Sequence, residues 1–322
     1  MTPAIDMTRD YIGVDLSGAT PRLALVSASG EIRARAEAAN VPDATTMSLL
    51  AGIGSLRRDA PNVAGIGIGI SGLIDPRSNR VVVPAASAPL LDDTSIAEIE
   101  RAMNLPVVAA NDANAAAYGE HTAGAGRDAS DMFYVTIGRG IGGAIILGGR
   151  LWTGASGYAG EFGHITVDPE GEECYCGNTG CLETVASAPS IVRRTRERLF
   201  RDGTSSLSRL AINPDFKAAD VAREAANGDD FARLMIERTG RSLGTGVASV
   251  INLLNISCII LGGGVVEEAG ALILEPITRE AARRAFKPSF DATTIRAATL
   301  GADAVAVGAA MLARDAPAAS RG

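Results

Sequence analysis

Residues 160–183 read GEFGHITVDPEGEECYCGNTGCLE, and they hold three of the four cysteines of the chain and one of its two histidines. The four side chains are those of His164, Cys174, Cys176 and Cys181. Glycines between them, such as Gly177, let the chain turn sharply enough to bring the four together. One imidazole and three thiolates form the Cys3His ligand set of a structural zinc site, which we predict here.

A disulfide-bonded pair with one spare thiol is the alternative interpretation of these cysteines. It is disfavoured because residues 1–10 carry charges and no apolar segment, so nothing in the sequence indicates secretion. Two glutamates, Glu161 and Glu183, flank the cluster. A loop tied by a metal ion could present them to a polar ligand, whereas the plainer interpretation is that both are exposed surface residues.

The composition is that of an ordinary globular protein, with 322 residues of which 47% are apolar and 21% are charged. This length is enough for two domains with well-sized cores. The net charge of −7 argues against a nucleic-acid partner. No apolar run approaches the roughly 18 residues that a membrane span needs, so we expect a cytoplasmic protein with no membrane contact.

Short apolar segments alternate with amphipathic ones, which indicates an α/β fold. We predict strands over residues 11–16, 21–27, 31–39, 63–70, 80–83, 105–110, 132–137, 144–147, 257–261 and 294–298. We predict helices over residues 44–58 with Asp43 as N-cap, 94–103, 113–121, 189–200, 218–226, 229–254, 270–285 and 303–313, and a loop over 71–76. The strand VAGIGIGI at 63–70 has alternate glycines, which predicts that another element packs closely on one of its faces.

A strand, a glycine-containing turn and a second strand occur twice, around Asp15 and around Gly138, which suggests two domains of similar build. The polar segment 122–130 is a plausible boundary. We therefore predict an N-terminal α/β domain over residues 1–122, completed by a C-terminal helix at 303–314. The second α/β domain would cover residues 123–302 and contain the zinc loop 164–181.

Three glycine-containing turns follow strands and predict a nucleotide site, because a turn without Cβ atoms lets backbone N–H groups approach phosphate oxygens. They contain Gly18, then Gly138, Arg139 and Gly140, and then Gly262, Gly263 and Gly264. None matches the P-loop or the dinucleotide fingerprint, and a glycine turn on its own often serves only to reverse the chain. Three such turns at strand ends in one chain predict a nucleotide site more strongly than a single turn would.

Polar residues at strand ends are the candidates for chemistry, because ligands of α/β sheets bind there. Asp15, Gly72 and Asp112 occupy such positions. Asp112 could act as a general base toward a substrate hydroxyl, or it could be only the N-cap of the following helix. Asp15 could hold Mg²⁺ through water, or it could be a turn residue. The second histidine, His121, is best explained as a residue at a helix end.

Four stretches together resemble one known family. They are NDAN at 111–114 with Gly119 and Glu120, AGEFGH at 159–164, CYCGNTGCLE at 174–183, and GGG at 262–264 after a strand. With these motifs the chain resembles the ROK family of repressors and sugar kinases from about Tyr11 to Leu312. It is most similar to the bacterial glucokinase-like members.

The resemblance implies an actin-like ATPase fold of two ribonuclease-H-like domains, with ATP, Mg²⁺ and a hexose in a central cleft. It implies that Asp112 is the catalytic base, and that Asn111, Glu161, His164 and Glu183 surround the sugar hydroxyls. It also implies that His164 and the three cysteines bind zinc, and that the protein is a homodimer. His164 would then both bind zinc and face the sugar.

Three positions depart from the family pattern. The first phosphate turn is usually D-x-G-G-T, and here Ser17 and Ala19 replace a glycine and the threonine. The second is usually G-T-G-x-G, and here Arg139 replaces the threonine, where it could either pair with a phosphate or block the site. An asparagine that often contacts the sugar is missing from residues 86–88. These changes bear on ATP handling and on the identity of the sugar.

The leading hypothesis is ATP-dependent phosphorylation of a hexose, with glucose at its 6-hydroxyl as the favoured substrate. N-acetylmannosamine, other hexoses and polyphosphate as donor stay open. A sugar-binding protein with weak or lost kinase activity is the second hypothesis. A sugar-responsive transcriptional regulator is the third, and it would need a helix-turn-helix before the first strand, where we expect no room for one.

Overall fold

The computed structural model describes residues 5–38, 46–58, 60–75, 78–84, 93–199 and 204–316. The chain forms two compact units. Unit 1 comprises Met1–Asp128, Ile145–Ala159 and Ala302–Gly322, and unit 2 comprises Ala129–Ala144 and Gly160–Gly301. Within the described ranges, no helix is both long and apolar enough to cross a membrane.

Unit 1 is built on a five-stranded sheet with the order β3-β2-β1-β4-β7. Its elements are β1 (Asp10–Asp15), β2 (Arg22–Ser27), β3 (Ile32–Glu37), α1 (Thr46–Arg58), β4 (Val63–Ile70), β5 (Gly72–Asp75), β6 (Arg80–Pro84), α2 (Asp93–Met103), β7 (Val107–Asn111), α3 (Asp112–Ala123) and α12 (Ala304–Asp315). β1 pairs antiparallel with β2 and parallel with β4, and β4 pairs parallel with β7. The short strands β5 and β6 form a separate antiparallel pair.

The alternate glycines of β4 lie against α12, which confirms the prediction of close packing on one face of this strand. A Cβ atom on Gly67 would lie 1.8 Å from the carbonyl oxygen of Ala309, and one on Gly13 of β1 would lie 1.7 Å from that of Ala306. No side chain fits at such distances, so both positions require glycine for the helix to sit directly on the sheet.

The isoleucines of β4 point to the opposite face and form a core with the helices there. Ile66 and Ile68 are fully buried in one cluster with Leu49 and Ile53 of α1 and Ile99 of α2. The strict alternation of glycine and isoleucine therefore gives the strand one face for a helix backbone and one for large apolar side chains. This sandwich fixes the carboxyl ends of β1, β4 and β7 at one edge of the sheet.

The second five-stranded sheet has the order β10-β9-β8-β11-β12, and most of it lies in unit 2. The remaining elements are β8 (Met132–Ile137), β9 (Ile141–Leu147), β10 (Arg150–Trp152), α4 (Glu183–Ala186), α5 (Ala188–Leu199), α6 (Leu207–Leu210), α7 (Ala218–Ala226), α8 (Asp230–Leu254), β11 (Cys258–Gly262), α9 (Gly264–Ala269), α10 (Ala271–Arg284), α11 (Lys287–Asp291) and β12 (Thr294–Ala297). β11 pairs parallel with both β8 and β12. The last residues of β9 and all of β10 belong to unit 1.

Several elements differ from the sequence prediction. Residues 72–75 form β5 rather than a loop, because they pair with β6. β9 begins at Ile141, inside the predicted turn, and the three-residue strand β10 was not predicted. The predicted N-cap Asp43 and the segment 86–88 lie outside the described residues.

Candidate functional site

Asp112 lies at the junction of β7 and α3, where strand ends and helix begins without an intervening loop. Asn111 is the N-cap of α3: its Oδ1 accepts hydrogen bonds from the backbone N–H groups of Ala113 at 2.9 Å and Asn114 at 3.1 Å. The capping role that the sequence left open for Asp112 thus belongs mainly to Asn111. Asp112 becomes the first residue of the helix, next to the positive end of the helix dipole.

The Asp112 carboxylate is held at both oxygens. Oδ2 accepts a hydrogen bond of 2.6 Å from the Ser71 hydroxyl, and Oδ1 accepts one of 2.9 Å from the Ala113 N–H group. Burial raises the pKa of Asp112 above its ordinary value; the hydrogen bonds from Ser71 and Ala113 counter the rise in part, and the negative charge of Asp15 adds to it. A carboxylate whose pKa is raised takes up a proton more readily near neutral pH.

The same junction brings Gly72 beside Asn111 and Asp112. The side-chain amide of Asn111 donates a 3.0 Å hydrogen bond to the carbonyl oxygen of Gly72. Gly72 has a φ of 133°, which favours glycine, and it follows Ser71 directly. Three residues predicted to contact substrate are therefore tied together in unit 1. Ser71 was not predicted, and its only signal in the sequence is its place at the end of β4.

Asp15 ends β1 and has its own set of partners. Its side chain is 1% exposed, Oδ1 accepts from the N–H and hydroxyl groups of Ser17 at 2.8 and 2.6 Å, and Oδ2 accepts from Arg22 Nη2 at 2.9 Å. Arg22 is the cross-strand partner of Asp15 in the β1–β2 hairpin. The turn also contains Gly18, where a Cβ atom would meet nothing closer than 3.7 Å. The ion pair with Arg22 was not foreseen from the sequence.

In unit 2 the four predicted metal ligands converge. One ligand atom from each of His164, Cys174, Cys176 and Cys181 lies within 4.8 Å of all the others. His164 Nδ1 is 3.6 Å from Cys174 Sγ, and Cys176 Sγ is 3.7 Å from Cys181 Sγ. A tetrahedron with zinc–sulfur bonds of about 2.3 Å has edges of about 3.8 Å. The donor set and its spacing therefore fit zinc.

The loop around these ligands is held by backbone hydrogen bonds rather than by regular structure. Isolated bridges pair Thr166 with Cys181 and Glu173 with Thr179. Gly180 has a φ of 71°, and a Cβ atom there would lie 1.6 Å from the carbonyl oxygen of Asp168. The Asn178 side-chain amide donates a hydrogen bond to Cys181 Sγ at 3.6 Å. Metal ligands are commonly oriented by such hydrogen bonds from neighbouring residues.

The other ring nitrogen of His164 faces away from the cysteines. His164 Nε2 lies 3.2 Å from the Tyr175 hydroxyl and 3.9 Å from Glu161 Oε2. The rings of His164 and Tyr175 meet edge to face, with centroids 5.3 Å apart. Partial desolvation of its hydroxyl raises the pKa of Tyr175 to about 12, and the negative charge of Glu183 adds to the rise. Tyr175 was not predicted as a site residue.

Glu183 begins α4 and reaches back to the glycine turn after β8. Its Oε2 accepts a 2.6 Å hydrogen bond from the N–H group of Ile141, and a Cβ atom on Gly140 would lie 2.7 Å from the same oxygen. The carbonyl oxygen of Gly138 in this turn accepts a 2.8 Å hydrogen bond from Ala188 N–H at the start of α5. The turn predicted to bind phosphate therefore also positions a carboxylate predicted to bind sugar.

The glycine run 262–264 lies at the same edge of the sheet as the turn at Gly138. Gly262 pairs with Thr136, and a Cβ atom on Gly263 would lie 2.5 Å from the carbonyl oxygen of Ile137, the residue before Gly138. Gly264 is the first residue of α9. The two predicted nucleotide segments of unit 2 are thus neighbours at the carboxyl ends of β8 and β11.

The exposed side chain of Arg139 lines a cavity of about 340 Å³ within unit 2. Other walls of this cavity are formed by Glu172, Glu173, Tyr175 and Glu183 and by the serines at the start of α5, Ser187 and Ser190. Arg139, which belongs to the glycine turn, therefore shares a cavity with residues of the zinc loop. Three carboxylates, those of Glu172, Glu173 and Glu183, line the same cavity.

A family model described as "ROK family" matches residues 11–316. A glucokinase from Halalkalibacterium halodurans is 36% identical over 314 residues, which cover 91% of this chain and 91% of that protein. An N-acetylmannosamine kinase from Escherichia coli is 34% identical over 267 residues, which cover 82% of this chain and 86% of that protein.

Solved structures show the same likeness. A ROK family glucokinase from Streptomyces griseus, in complex with glucose and AMPPNP, has a TM-score of 0.81 at 33% identity and covers 95% of this chain and 100% of that one. A ROK family transcriptional regulator, a homologue of the E. coli Mlc protein, has a TM-score of 0.84 at 28% identity and covers 96% of this chain and 78% of that one.

Proposed function

Because the chain belongs to the ROK family, we propose that it is a sugar kinase that transfers the γ-phosphoryl group of ATP to a hexose. Its fold is the α/β, actin-like ATPase fold of that family, as predicted from the sequence. Kinases acting on two different hexoses are among its relatives, which supports the reaction class.

The observation that carries this proposal is the environment of Asp112. Its carboxylate is oriented by Ser71 and Ala113, and its pKa is raised by burial. In the proposed reaction the sugar hydroxyl oxygen forms a bond to the γ-phosphorus, the bond from that phosphorus to the leaving ADP oxygen breaks, and the hydroxyl proton passes to Asp112. Positioning and charge stabilisation supply most of the catalysis in such transfers.

We propose that sugar hydroxyl groups contact Gly72, Asn111 and Asp112 of unit 1 and Glu161, His164 and Glu183 of unit 2. Carboxylates and amides are suited to this role because they pair with hydroxyl groups in fixed directions. The support for the first set is its mutual hydrogen bonding at the β7–α3 junction. The support for the second set is that Glu161 and the Tyr175 hydroxyl both lie near His164 Nε2, and that Glu183 lines the same cavity as Tyr175.

For ATP we propose contacts from the three glycine-containing turns and a Mg²⁺ ion near Asp15. The turn residues are Gly18, Gly138, Arg139, Gly140, Gly262, Gly263 and Gly264. In unit 2, the support is that Gly138 and Gly263 lie at one sheet edge. In unit 1, Asp15 is buried and fixed by Ser17 and Arg22, so it could accept hydrogen bonds from water bound to Mg²⁺ only through its remaining lone pairs.

Zinc is proposed as a structural ion bound by His164, Cys174, Cys176 and Cys181. It would supply no chemistry to the transfer itself, and it would fix the loop that carries Glu161 and Glu183. We also propose a cytoplasmic location, where three clustered thiols stay reduced and available to a metal ion. A homodimer is proposed from the family resemblance alone.

Glucose, phosphorylated at its 6-hydroxyl, is the substrate we favour, because the H. halodurans and S. griseus relatives are glucokinases. The test is a coupled ADP-release assay over glucose, mannose, fructose, N-acetylmannosamine and N-acetylglucosamine, repeated with polyphosphate as the donor. We expect the highest kcat/KM for glucose with ATP. Release of no ADP with any of these sugars would overturn the proposed kinase.

A sugar-binding protein with weak kinase activity is the second candidate, and one observation favours it. The Asp15 carboxylate already pairs with Arg22, and the Ile141 N–H group of the second turn already binds Glu183. Both groups therefore already have partners within this chain. Titration calorimetry separates the two candidates, because this second protein would bind a hexose but would bind AMPPNP with Mg²⁺ only weakly or not at all.

A further inference from the structure

The two nitrogens of His164 have different partners, and binding of the proposed metal ion at one of them would set which one carries the proton. Nδ1 faces Cys174 Sγ at 3.6 Å, on the side of the proposed metal ion. A ring nitrogen that binds a metal ion carries no proton, so the proton of the neutral imidazole must be on Nε2. His164 therefore offers a single N–H donor on its other side.

That donor is already taken by this chain. The Tyr175 oxygen lies 3.2 Å from His164 Nε2, and the carboxylate of Glu161 is 3.9 Å from the same nitrogen. One N–H group makes one strong hydrogen bond. If a sugar hydroxyl binds to His164, as the proposed function requires, it must therefore displace the phenol oxygen of Tyr175.

Little else holds Tyr175 in this position. The residue is 82% exposed. It borders the cavity that also contains Glu183, so its ring has open space to move into. Leaving His164 would cost about one hydrogen bond and almost no apolar burial.

We propose that Tyr175 determines sugar specificity by acting as an internal substitute for the one sugar hydroxyl that meets His164. A sugar that carries this hydroxyl displaces the phenol and takes over the Nε2–H donor. A sugar that lacks it binds with Tyr175 still in place, so His164 is not left without a partner. The chain should then tolerate the loss of one sugar hydroxyl better than the loss of any other. This inference rests on the proposed sugar contact of His164.

The test is Tyr175→Phe, which keeps the ring and removes the hydroxyl. Binding of glucose and of the set of singly deoxygenated glucose analogues would be measured by calorimetry without ATP. We expect glucose to bind about 2- to 12-fold more tightly to the variant, which corresponds to one hydrogen bond that no longer competes. For one deoxy analogue alone, we expect no gain. Tyr118→Phe is the matched control, because its hydroxyl bonds to Asp315 and should leave these ratios unchanged.

Three results would overturn the inference. The first is an unchanged or weaker affinity of Tyr175→Phe for glucose. The second is an equal change for glucose and every analogue, which would mean that no single hydroxyl competes with Tyr175. The third is loss of bound zinc from the variant, which would make Tyr175 a support of the metal site. Failure of the proposed kinase is a separate result, because it would leave sugar binding measurable while no ADP is released. Absence of any sugar binding would overturn both.

Discussion

Asp112 in unit 1 and Glu183 in unit 2 are both proposed to meet the sugar, yet the chain fixes them by different means. Asp112 sits between a strand and a helix, and its neighbours Asn111 and Ala113 belong to those elements. Glu183 follows a loop of more than 15 residues whose only regular element is a short 3-10 helix at Phe162–His164. It is placed by the metal-ligand cluster on one side and by the Ile141 N–H group on the other.

This difference predicts how sensitive the positions of the Asp112 and Glu183 carboxylates are to substitutions around them. A proton acceptor must be positioned closely, and the backbone of a strand–helix junction provides this without any cofactor. The carboxylates of Glu161 and Glu183, which we propose to contact the sugar, instead depend on a tertiary cluster, so they should be sensitive to loss of one ligand. Each prediction below perturbs one of the two regions and measures whether the other responds.

Asp112→Asn should give the largest effect. The amide keeps the shape of the side chain but cannot accept the proton, and loss of a general base typically lowers the rate by 10²–10⁴-fold. We expect kcat to fall in that range while glucose still binds and the zinc content stays unchanged. Single-turnover kinetics and metal analysis would check this. A variant with near-normal kcat would show that the proton leaves by another route.

Cys176→Ser removes one proposed metal ligand from the cluster in unit 2. We expect the unchanged protein to contain about one zinc ion per chain. In the variant, zinc should bind at least ~100-fold more weakly. This loss is larger than the typical effect of replacing a residue that only hydrogen-bonds to a metal ligand. The affinity for glucose should fall about tenfold because Glu161 and Glu183 lose their support. The control is Cys258→Ala, which removes a buried thiol of β11 outside the cluster. Equal zinc loss in both variants would contradict the assignment of ligands.

Gly140→Ala and Gly138→Ala form a matched pair within one turn. A Cβ atom at position 140 would meet Glu183 Oε2 at 2.7 Å, whereas one at position 138 would meet nothing within 4 Å. We expect Gly140→Ala to weaken glucose binding several-fold, because it displaces the carboxylate from the Ile141 N–H group. Gly138→Ala should leave it unchanged when binding is measured without ATP. Identical affinities for the two variants would show that Glu183 does not contact the sugar.

Arg139→Thr restores the residue that is usual in the family. If the guanidinium pairs with a phosphate oxygen, the KM for ATP should rise several-fold and the KM for glucose should not change, since one charged contact contributes about 1.5–3 kcal/mol at most. The KM for ATP of the native chain should also increase with salt. If only the KM for glucose changed, Arg139 would act on the sugar, through the cavity that it lines with Glu183, and not on ATP.

The smallest effect concerns stability and pH. Burial raises the pKa of Asp112 in the folded chain, so folding disfavours its charged form. The resulting destabilisation is present above the raised pKa and disappears as the pH falls through it toward the unfolded value. Asp112→Asn should therefore have a Tm a few degrees higher at neutral pH, and the difference should shrink at acidic pH. A lower Tm for the variant at pH 7 would contradict the direction of this shift.

The sequence predicted those features that depend on local pattern. The alternating glycines of 63–70 predicted the packing of a helix, and the spacing of three cysteines with His164 predicted a cluster that the structure brings together. In both cases the signal lies within a few residues of the feature, because backbone periodicity and ligand spacing are local properties. The α/β fold followed from the order of such segments.

What the sequence did not predict involves pairs of distant residues. Nothing near Asp112 indicates that Ser71 will donate to it, and nothing near Ile141 indicates that its N–H group will bind Glu183, 42 positions away. The sequence predicts a loop at 71–76, but residues 72–75 form a strand. Glycine and aspartate are disfavoured in strands, and pairing with β6 overrides that preference. Tertiary geometry supplies these contacts, and a single sequence carries no local trace of them.

The contact of α12 with Gly13 and Gly67 has a consequence for how the protein is made. A ribosome releases β1 and β4 long before it releases residues 304–315, so the glycine face of the first sheet has no covering helix during most of synthesis. Unit 2 lies between the two segments in chain order and can complete its own core earlier. The sheet of unit 1 therefore cannot be covered until α12 has been synthesised, so unit 1 is completed after unit 2. This is the reverse of the usual order, in which the N-terminal domain folds first.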